Sequence, residues 1–372
     1  MRGSQVLLER LHIGNFTVFE QATFEFCPGI NVLIGTNGTG KTHLLKLAYA
    51  AAAGRTSRDA ILRLVDLFQP TGGNRMHLVR HGQDRAILNA VFDRMETKWL
   101  VTVLIPDARD DTEKPSVETR YFHSGASDEG RTVFVPSKEL LAHGAGIRSF
   151  MEVYQSSFDL TFKDILDLAY LPPLKDAPKG TFHECMRDIQ QAIGGKTRVE
   201  GEEFRLQQGW RELEFSLVAE GHRKLALLWK LIENGSVRPG TLLLWDEPEA
   251  NLNPELISVL IDVLWRLSRA GVQVVLATHS YFVLREIDLG AQTSDRVRYF
   301  SLSRTKAKSP VTVEVRDSYE QIIENPIARK SVELYQRSLD RALRPKGGND
   351  SDDHGRPADV PLRRRRASRK AR

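Results

Sequence analysis

The sequence predicts an α/β fold with an antiparallel β-lobe at its N-terminal end and a helical insertion in its middle. Three observations carry this. Mostly apolar runs at 30–34, 242–245 and 272–277 have strand length and no alternating polar face, as buried strands do. The first two lead through turns into stretches of helical periodicity, 42–53 and 254–269, giving strand–turn–helix units. Ahead of them, an apolar stretch at 7–13, a Gly14-Asn15 turn signal and the alternation Thr23-Phe24-Glu25-Phe26 before Pro28-Gly29 read as two or three strands of a lobe.

With 372 residues the chain can bury a large core, as one elaborated domain or a domain plus an insertion. Apolar content of 41% and charged content of 27% are ordinary for a globular protein. Cys27 and Cys185 are too few for a disulfide framework. No signal peptide opens the sequence, and no apolar run approaches the ~20 residues of a membrane span, so a reducing cytoplasm and no membrane are expected. The net charge of +5 is concentrated: Arg363 to Arg366, Arg369, Lys370 and Arg372 contribute seven positive charges, and removing them leaves the body at −2. The basic signal belongs to the tail.

The segment Gly35-Thr36-Asn37-Gly38-Thr39-Gly40-Lys41-Thr42 fits G-x-x-x-x-G-K-[ST], with a strand before it and a helix after it. Glycines let successive N–H groups point into one hollow, and the helix N-terminus behind adds positive potential. Lys41 is expected to reach the β/γ-phosphates and Thr42 to hold Mg²⁺, so the chain is expected to bind a nucleoside triphosphate.

Further along, a helix at 59–68 ends at Gln69-Pro70 and a glycine-rich turn. Strand-like runs follow at 86–92 and 99–105, then a polar loop at 106–116 and a strand at 133–135. Residues 138–195 read as irregular helices broken at Leu171-Pro172-Pro173 and Gly194-Gly195, followed by a hairpin around Gln208-Gly209. Val218 to Lys224 precedes a helix at 225–233. The run 242–245 ends in Asp246-Glu247-Pro248, whose carboxylates would project at the carboxyl edge of the sheet. Asp246 would hold Mg²⁺ and Glu247 would orient and polarise an attacking water. Asn253 caps and Pro254 starts the next helix. Thr278-His279-Ser280 ends the strand at 272–277. A last hairpin (297–302, 311–315) and a helix at 327–343 with one apolar face for packing complete the folded part. The glycine-, aspartate- and proline-rich tail cannot support a core and is expected to be disordered.

This order of motifs resembles the ABC ATPase superfamily, specifically the branch of RecF, SMC, Rad50 and the overcoming-lysogenisation-defect-like ATPases, closely over 5–53 and 213–285. The resemblance implies a P-loop NTPase fold with an ABC-type ATPase core. It divides the chain into an N-terminal part of the core with the phosphate loop (1–137), a helical insertion or lid (138–200), a C-terminal part with signature, Walker B, D-loop and switch histidine (201–343), and a basic tail (344–372). It makes ATP and Mg²⁺ the cofactors, ATP hydrolysis the reaction, Glu249 to Pro254 the D-loop and His279 the γ-phosphate switch. Ala219-Glu220-Gly221-His222-Arg223 stands where other members carry Leu-Ser-Gly-Gly-Gln. By that analogy Glu220 and Gly221 serve the nucleotide of a second copy in a head-to-tail dimer, while His222 reads as an ordinary helix start. Phe16, Phe19 and Arg10 are candidates for the adenine side, with packing the stronger reading for each aromatic. A family glutamine that senses Mg²⁺ and γ-phosphate has no counterpart at 136–139, which leaves the sensing loop unassigned.

Stand-alone ATPases of this kind resemble the ATPase halves of two-gene anti-phage systems, implying a homodimer or larger homo-oligomer and a separately encoded effector, such as a nuclease. A DNA-repair clamp is the alternative, a transporter motor a weaker one. The arginine tail is read as solvated, with DNA or an acidic protein as its possible partner.

Overall fold

The computed structural model describes residues 7–53, 60–94, 97–105, 116–121, 131–153, 158–306, 309–323 and 325–343. The expected helix closure at 54–57, most of the polar loop at 106–116 and the tail at 344–372 lie outside these. The chain divides into two units, Met1–Arg329 and Lys330–Arg372.

The first unit is organised on a six-stranded sheet containing β3 (Ile30–Gly35), β7 (Thr132–Val135), β11 (Leu242–Asp246), β12 (Gln273–Thr278), β13 (Val297–Ser303) and β14 (Thr312–Arg316). Its spatial order is β14-β13-β3-β12-β11-β7, parallel throughout except for β14 at one edge. Both faces of the central strands are covered, which is why β3, β11 and β12 read as mostly apolar runs. Ile30, Val32, Ile34, Leu243, Trp245, Val274 and Leu276 point into one core with α5 (Thr181–Ile193), α6 (Glu220–Glu233), α7 (Pro254–Arg269) and α8 (Tyr281–Gly290). Leu33, Leu242, Leu244, Val275 and Ala277 point into the other with α1 (Lys41–Ala53). Alternation therefore exists, but between two cores rather than between core and water.

The second core is closed by the N-terminal lobe, an antiparallel sheet in the order β2-β1-β4-β5-β6. Its strands are β1 (Leu7–Phe16), β2 (Phe19–Glu25), β4 (Ala86–Arg94), β5 (Thr97–Ile105) and β6 (Ser116–Tyr121). Leu8, Leu11, Ile13, Phe19, Phe24, Leu88 and Phe92 pack from this sheet into the second core. Two buried amides join lobe and central sheet. Gln273 accepts from the Leu8 N–H (2.8 Å) and donates to the carbonyls of Leu8 (3.0 Å) and Cys27 (2.9 Å). Asn31 accepts from the Cys27 N–H (2.8 Å) and donates to the Cys27 carbonyl (2.9 Å). Leu8 needs this help because the β1–β4 register shifts between Leu8 and Arg10.

Between β7 and the second half of the sheet the chain forms α3 (Gly144–Val153), α4 (Leu160–Ala169) and α5, then a third antiparallel sheet of β8 (Lys196–Glu200), β9 (Glu203–Gln208) and β10 (Arg211–Glu214). Leu141, Ile165, Leu166, Cys185, Ile189 and Ile193 of this region are buried in the first core, so these helices share the body's core instead of building their own. The last helix, α9 (Pro326–Leu343), runs from the first unit into the second and carries Val332, Leu334, Tyr335 and Leu339, all exposed, in place of the packed face its periodicity predicts.

Replacing Gln273 by Leu removes both partners of Leu8 inside a dry junction. The expected cost is about 2–3 kcal/mol, seen as a lower urea midpoint at unchanged slope. A midpoint equal to wild type would show the lobe to be held by apolar packing alone.

Candidate functional site

The carboxyl ends of β3, β12 and β11 are level. Ile34 pairs with Thr278 and Ala277 with Asp246, so the segments that follow these strands leave the sheet side by side. After β3 the chain curls through Gly35, Gly38 and Gly40, with φ of +156°, +79° and +92°. A Cβ on Gly40 would lie 2.7 Å from Val18 and 2.8 Å from Phe19, while one on Gly38 would meet nothing within 4 Å. Gly40 is thus demanded by the lobe resting on the loop, and Gly38 by conformation over an open hollow. Within the loop the Thr39 hydroxyl donates to the Thr36 carbonyl (2.8 Å). The Lys41 ammonium donates to the carbonyls of Gly35 (2.8 Å) and Thr36 (3.2 Å), which keeps it over the hollow. Burial lowers its pKa, against the opposing charges of Glu247, Asp246 and Glu249.

Thr42, the second residue of α1, donates its hydroxyl to Asp246 Oδ2 at 2.9 Å. The other oxygen, Asp246 Oδ1, is buried with no hydrogen-bond partner. Burial pushes the Asp246 carboxyl up to about 6, with the Thr42 hydrogen bond acting against it. Hydroxyl and carboxylate are hard oxygen donors that fit Mg²⁺, which takes one or two protein oxygens and completes its shell with water and phosphate. Among the described residues no cluster of three His, Cys, Asp or Glu forms an all-protein cage.

Glu247 follows with φ +47°, a left-handed conformation uncommon outside glycine, and its N–H donates to the Ala277 carbonyl (2.9 Å). This turn carries its carboxylate to 3.2 Å from His279 Nδ1. Glu249, placed in the D-loop from sequence, makes a second bridge. Its Oε1 accepts from the Thr278 hydroxyl (2.7 Å) and the His279 N–H (3.2 Å), locking the end of β12 to the segment after β11. Both site carboxylates therefore converge on the Thr-His pair. Asn253 caps α7 by accepting from the Leu256 N–H (2.9 Å).

Glu220 and Gly221 begin α6. Neither has a hydrogen bond or ion pair to the phosphate loop among the described residues. A Cβ on Gly221 would lie 2.7 Å from the Asn251 carbonyl, so the start of α6 rests directly on the D-loop. Next in line, Arg223 donates to the Val218 and Phe215 carbonyls and pairs with Glu139, whose side chain is 1% exposed. Burial raises the Glu139 pKa and Arg223 opposes it. Glu139 stands in the segment after β7 where sequence comparison looks for a glutamine. Gln69 lies elsewhere, at φ +45° after α2 (Ala60–Phe68), donating to the Phe158 carbonyl (2.7 Å). Phe16 and Phe19 are core residues, and Arg10 pairs with Glu25 (3.4 Å) on the lobe surface.

The residues that sequence reasoning missed are Glu139, Arg223, Lys224 and the bridging role of Glu249. Only the burial of charged residues beside motifs distinguishes them, and that becomes visible in three dimensions.

Two heads of the SMC type overlay on this fold. The SMC head bound to the C-winged helix domain of ScpA gives a TM-score of 0.54 at 13% identity, over 85% of this chain and 99% of the other. The SMC head with an extended coiled coil bound to the C-terminal domain of ScpA, from Pyrococcus furiosus, gives 0.52 at 13%, over 89% and 100%. The architecture is that of a P-loop NTPase with an ABC-type ATPase core. Family models give the nearer class: one described as "AAA domain, putative AbiEii toxin, Type IV TA system" matches residues 198–285, and one described as "AAA domain" matches 10–68. Over short stretches the chain is also similar to a RecF DNA replication and repair protein of Acidothermus cellulolyticus (34% over 82 residues, 22% of this chain and 19% of that one). A Symbiobacterium thermophilum RecF matches at 46% over 55 residues, 14% of this chain and 15% of the other. The Rad50 double-strand break repair ATPase of Methanopyrus kandleri matches at 34% over 86 residues, 23% of this chain and 8% of the other. The likeness is thus to AAA/ABC ATPases of the RecF, SMC and Rad50 type, in segments covering less than a quarter of those curated relatives.

A carboxyl with a pKa of about 6 must lose its proton to hold Mg²⁺. The Mg²⁺-dependent part of ATP affinity should therefore be full above pH 7 and fall about tenfold per unit below pH 6. Titration with a fluorescent ATP analogue from pH 5 to 8 measures it. Asp246→Asn should flatten the profile, and a profile unchanged by that substitution would remove Asp246 from the metal site.

Proposed function

We propose that the chain binds ATP with Mg²⁺ and hydrolyses it as half of a head-to-tail homodimer, and that this cycle controls a separately encoded partner. The observation that supports this best is the meeting, at one sheet edge, of the Thr42–Asp246 pair and the Glu247–His279 pair.

In this reading the loop N–H groups of residues 36–41 and the Lys41 ammonium bind the β- and γ-phosphates, and His279 approaches the γ-phosphate. Thr42 and Asp246 would hold Mg²⁺, which would supply positive charge against the phosphate oxygens. The Glu247 carboxylate accepts a hydrogen bond from a water and turns its lone pair toward the γ-phosphorus. The water oxygen forms its bond to phosphorus as the bond to the β–γ bridging oxygen breaks. The water's proton leaves toward Glu247, and ADP and phosphate are the products. Glu220 and Gly221 present the N-terminus of α6 to the nucleotide of the second copy.

For the biological role, the family description "Type IV TA system" and the ScpA-bound state of the overlaid heads favour a partner protein as the target. An effector nuclease in anti-phage defence is the form we propose. The RecF and Rad50 relatives favour a second reading, an ATP-dependent DNA clamp.

Lys41→Ala should weaken ATP binding roughly 10- to 100-fold, the worth of a charge-assisted phosphate contact. Unchanged affinity would sink the phosphate-loop assignment. Glu247→Gln should bind ATP, stop turnover and double the mass seen by light scattering when ATP is present. Hydrolysis at the wild-type rate would move the water-activating role elsewhere. Adding duplex DNA to a chain lacking residues 345–372 separates the two roles: stimulated hydrolysis favours the clamp, no response favours the partner protein.

A further inference from the structure

Lys224 is 1% exposed, one turn into α6, and plays no part in the chemistry above. Its ammonium donates to the carbonyl of Ala250 at 2.9 Å and to that of Glu247 at 3.2 Å. These carbonyls stand at the two ends of one turn, closed by the Ala250 N–H donating to the Glu247 carbonyl (3.1 Å). The turn begins with Glu247 in its left-handed conformation and contains Glu249, so it carries both carboxylates that reach the Thr278-His279 pair. A residue held at positive φ persists only where its surroundings over-determine it. Here the surroundings are the Ala277 carbonyl on one side and the Lys224 ammonium on the other.

An ammonium is an expensive way to fill buried space, since its desolvation must be offset by donors well used. Burial does lower the Lys224 pKa, and the charges of Glu249, Glu220, Glu247 and Glu139 oppose that. Two donors go to the turn's carbonyls, and methionine could occupy the same path through α6 without them. The position of Lys224 matters as much as its bonds. It lies three residues after Gly221, directly behind the helix turn whose N–H groups face a second copy's nucleotide in the proposed dimer. Arg223 anchors the opposite side of that turn through Glu139.

We propose that Lys224 is the positioning residue for Glu247: by gripping both ends of the 247–250 turn it fixes the Glu247 carboxylate relative to the first turn of α6. This rests on the ATPase reading above. A displacement of about 1 Å in an oriented group can cost on the order of 100-fold in rate, so losing the grip falls on the chemical step and spares ATP binding.

The test uses the full chain, with ATP affinity from a fluorescent ATP analogue and hydrolysis from single-turnover measurements. Lys224→Met should bind ATP within about twofold of wild type and hydrolyse it at least about 30-fold more slowly. In the Glu247→Gln background the same substitution should change the residual rate by less than about threefold, because a positioning residue has nothing left to position. If Lys224→Met does not unfold cooperatively, Lys224→Gln is held to the same thresholds. A substituted chain that hydrolyses at the wild-type rate, or that loses as much rate with Glu247→Gln as without it, overturns the proposal and leaves the ATPase reading standing. A wild-type chain that binds ATP and never hydrolyses it removes both.

Discussion

The register in which β3, β12 and β11 pair is the constraint on which the rest of this structure depends. The phosphate loop and the Asp-Glu pair are some 200 residues apart in sequence and on strands that do not touch, because β12 lies between them. They meet only because Ile34 is level with Thr278 and Ala277 with Asp246. A slip of one residue along β11 would shift Asp246 by about 3.3 Å and turn its side chain to the other core. The 2.9 Å contact with Thr42 would be lost. The slip is opposed by the cores themselves, since it would exchange Leu242 and Leu244 with Leu243 and Trp245 between two differently shaped interiors. The geometry of the site is thus held by apolar packing on both faces of the sheet, well away from the residues that form it.

A second layer of control runs through buried charge. Asp246, Glu249, Glu139, Lys41 and Lys224 are withdrawn from water around one edge, an arrangement that costs stability and that an apolar core would avoid. All but Lys41, which is held within its own loop, are placed where they join two separate segments of the chain. Glu249 joins the end of β11 to the end of β12, Glu139 joins the segment after β7 to α6, and Lys224 joins α6 to the segment after β11. In each joint a charged side chain meets a charge, a hydroxyl or a backbone dipole, so the joints are directional. Apolar contacts at the same places would hold the segments close without fixing which way a carboxylate points.

What the sequence made legible follows from this division. Contiguous motifs survive inspection because their residues act together over a few positions: the glycine loop, Asp246-Glu247 and Thr278-His279 all leave strands at one edge. The central strands were legible for the same reason, as short apolar runs between turns. Gln273 was not, since a glutamine opening an apolar strand gives no sign that it will serve Leu8 across 265 residues. Lys224 and Glu139 were hidden for a related reason, because a charged residue near a motif usually faces water. β8 was missed since Lys196, Arg198 and Glu200 on one face make it read as surface, while Thr197 and Val199 behind them are its packed side. On α9 the failure runs the other way: apolar periodicity predicts a packed face, and Val332, Leu334, Tyr335 and Leu339 are exposed.

The site as one chain builds it is unevenly shielded from solvent. Asp246 and Lys41 are withdrawn from solvent, but the side chains of Glu247 and His279 remain 32% and 50% exposed. A carboxylate that must orient one water works poorly in the presence of many, because bulk solvent both screens its charge and offers competing hydrogen bonds. In the proposed dimer these exposed side chains are what a second copy would cover with the start of its α6. Gly221 packs against the D-loop carbonyl of Asn251 so tightly that no side chain fits between them. Anything that draws the start of α6 toward a nucleotide must then carry the D-loop along, and with it the turn that aims Glu247. In the proposed head-to-tail dimer each chain's Glu247 would thereby respond to the nucleotide held by the other, and hydrolysis would be a timer on the assembled state rather than a property of either half.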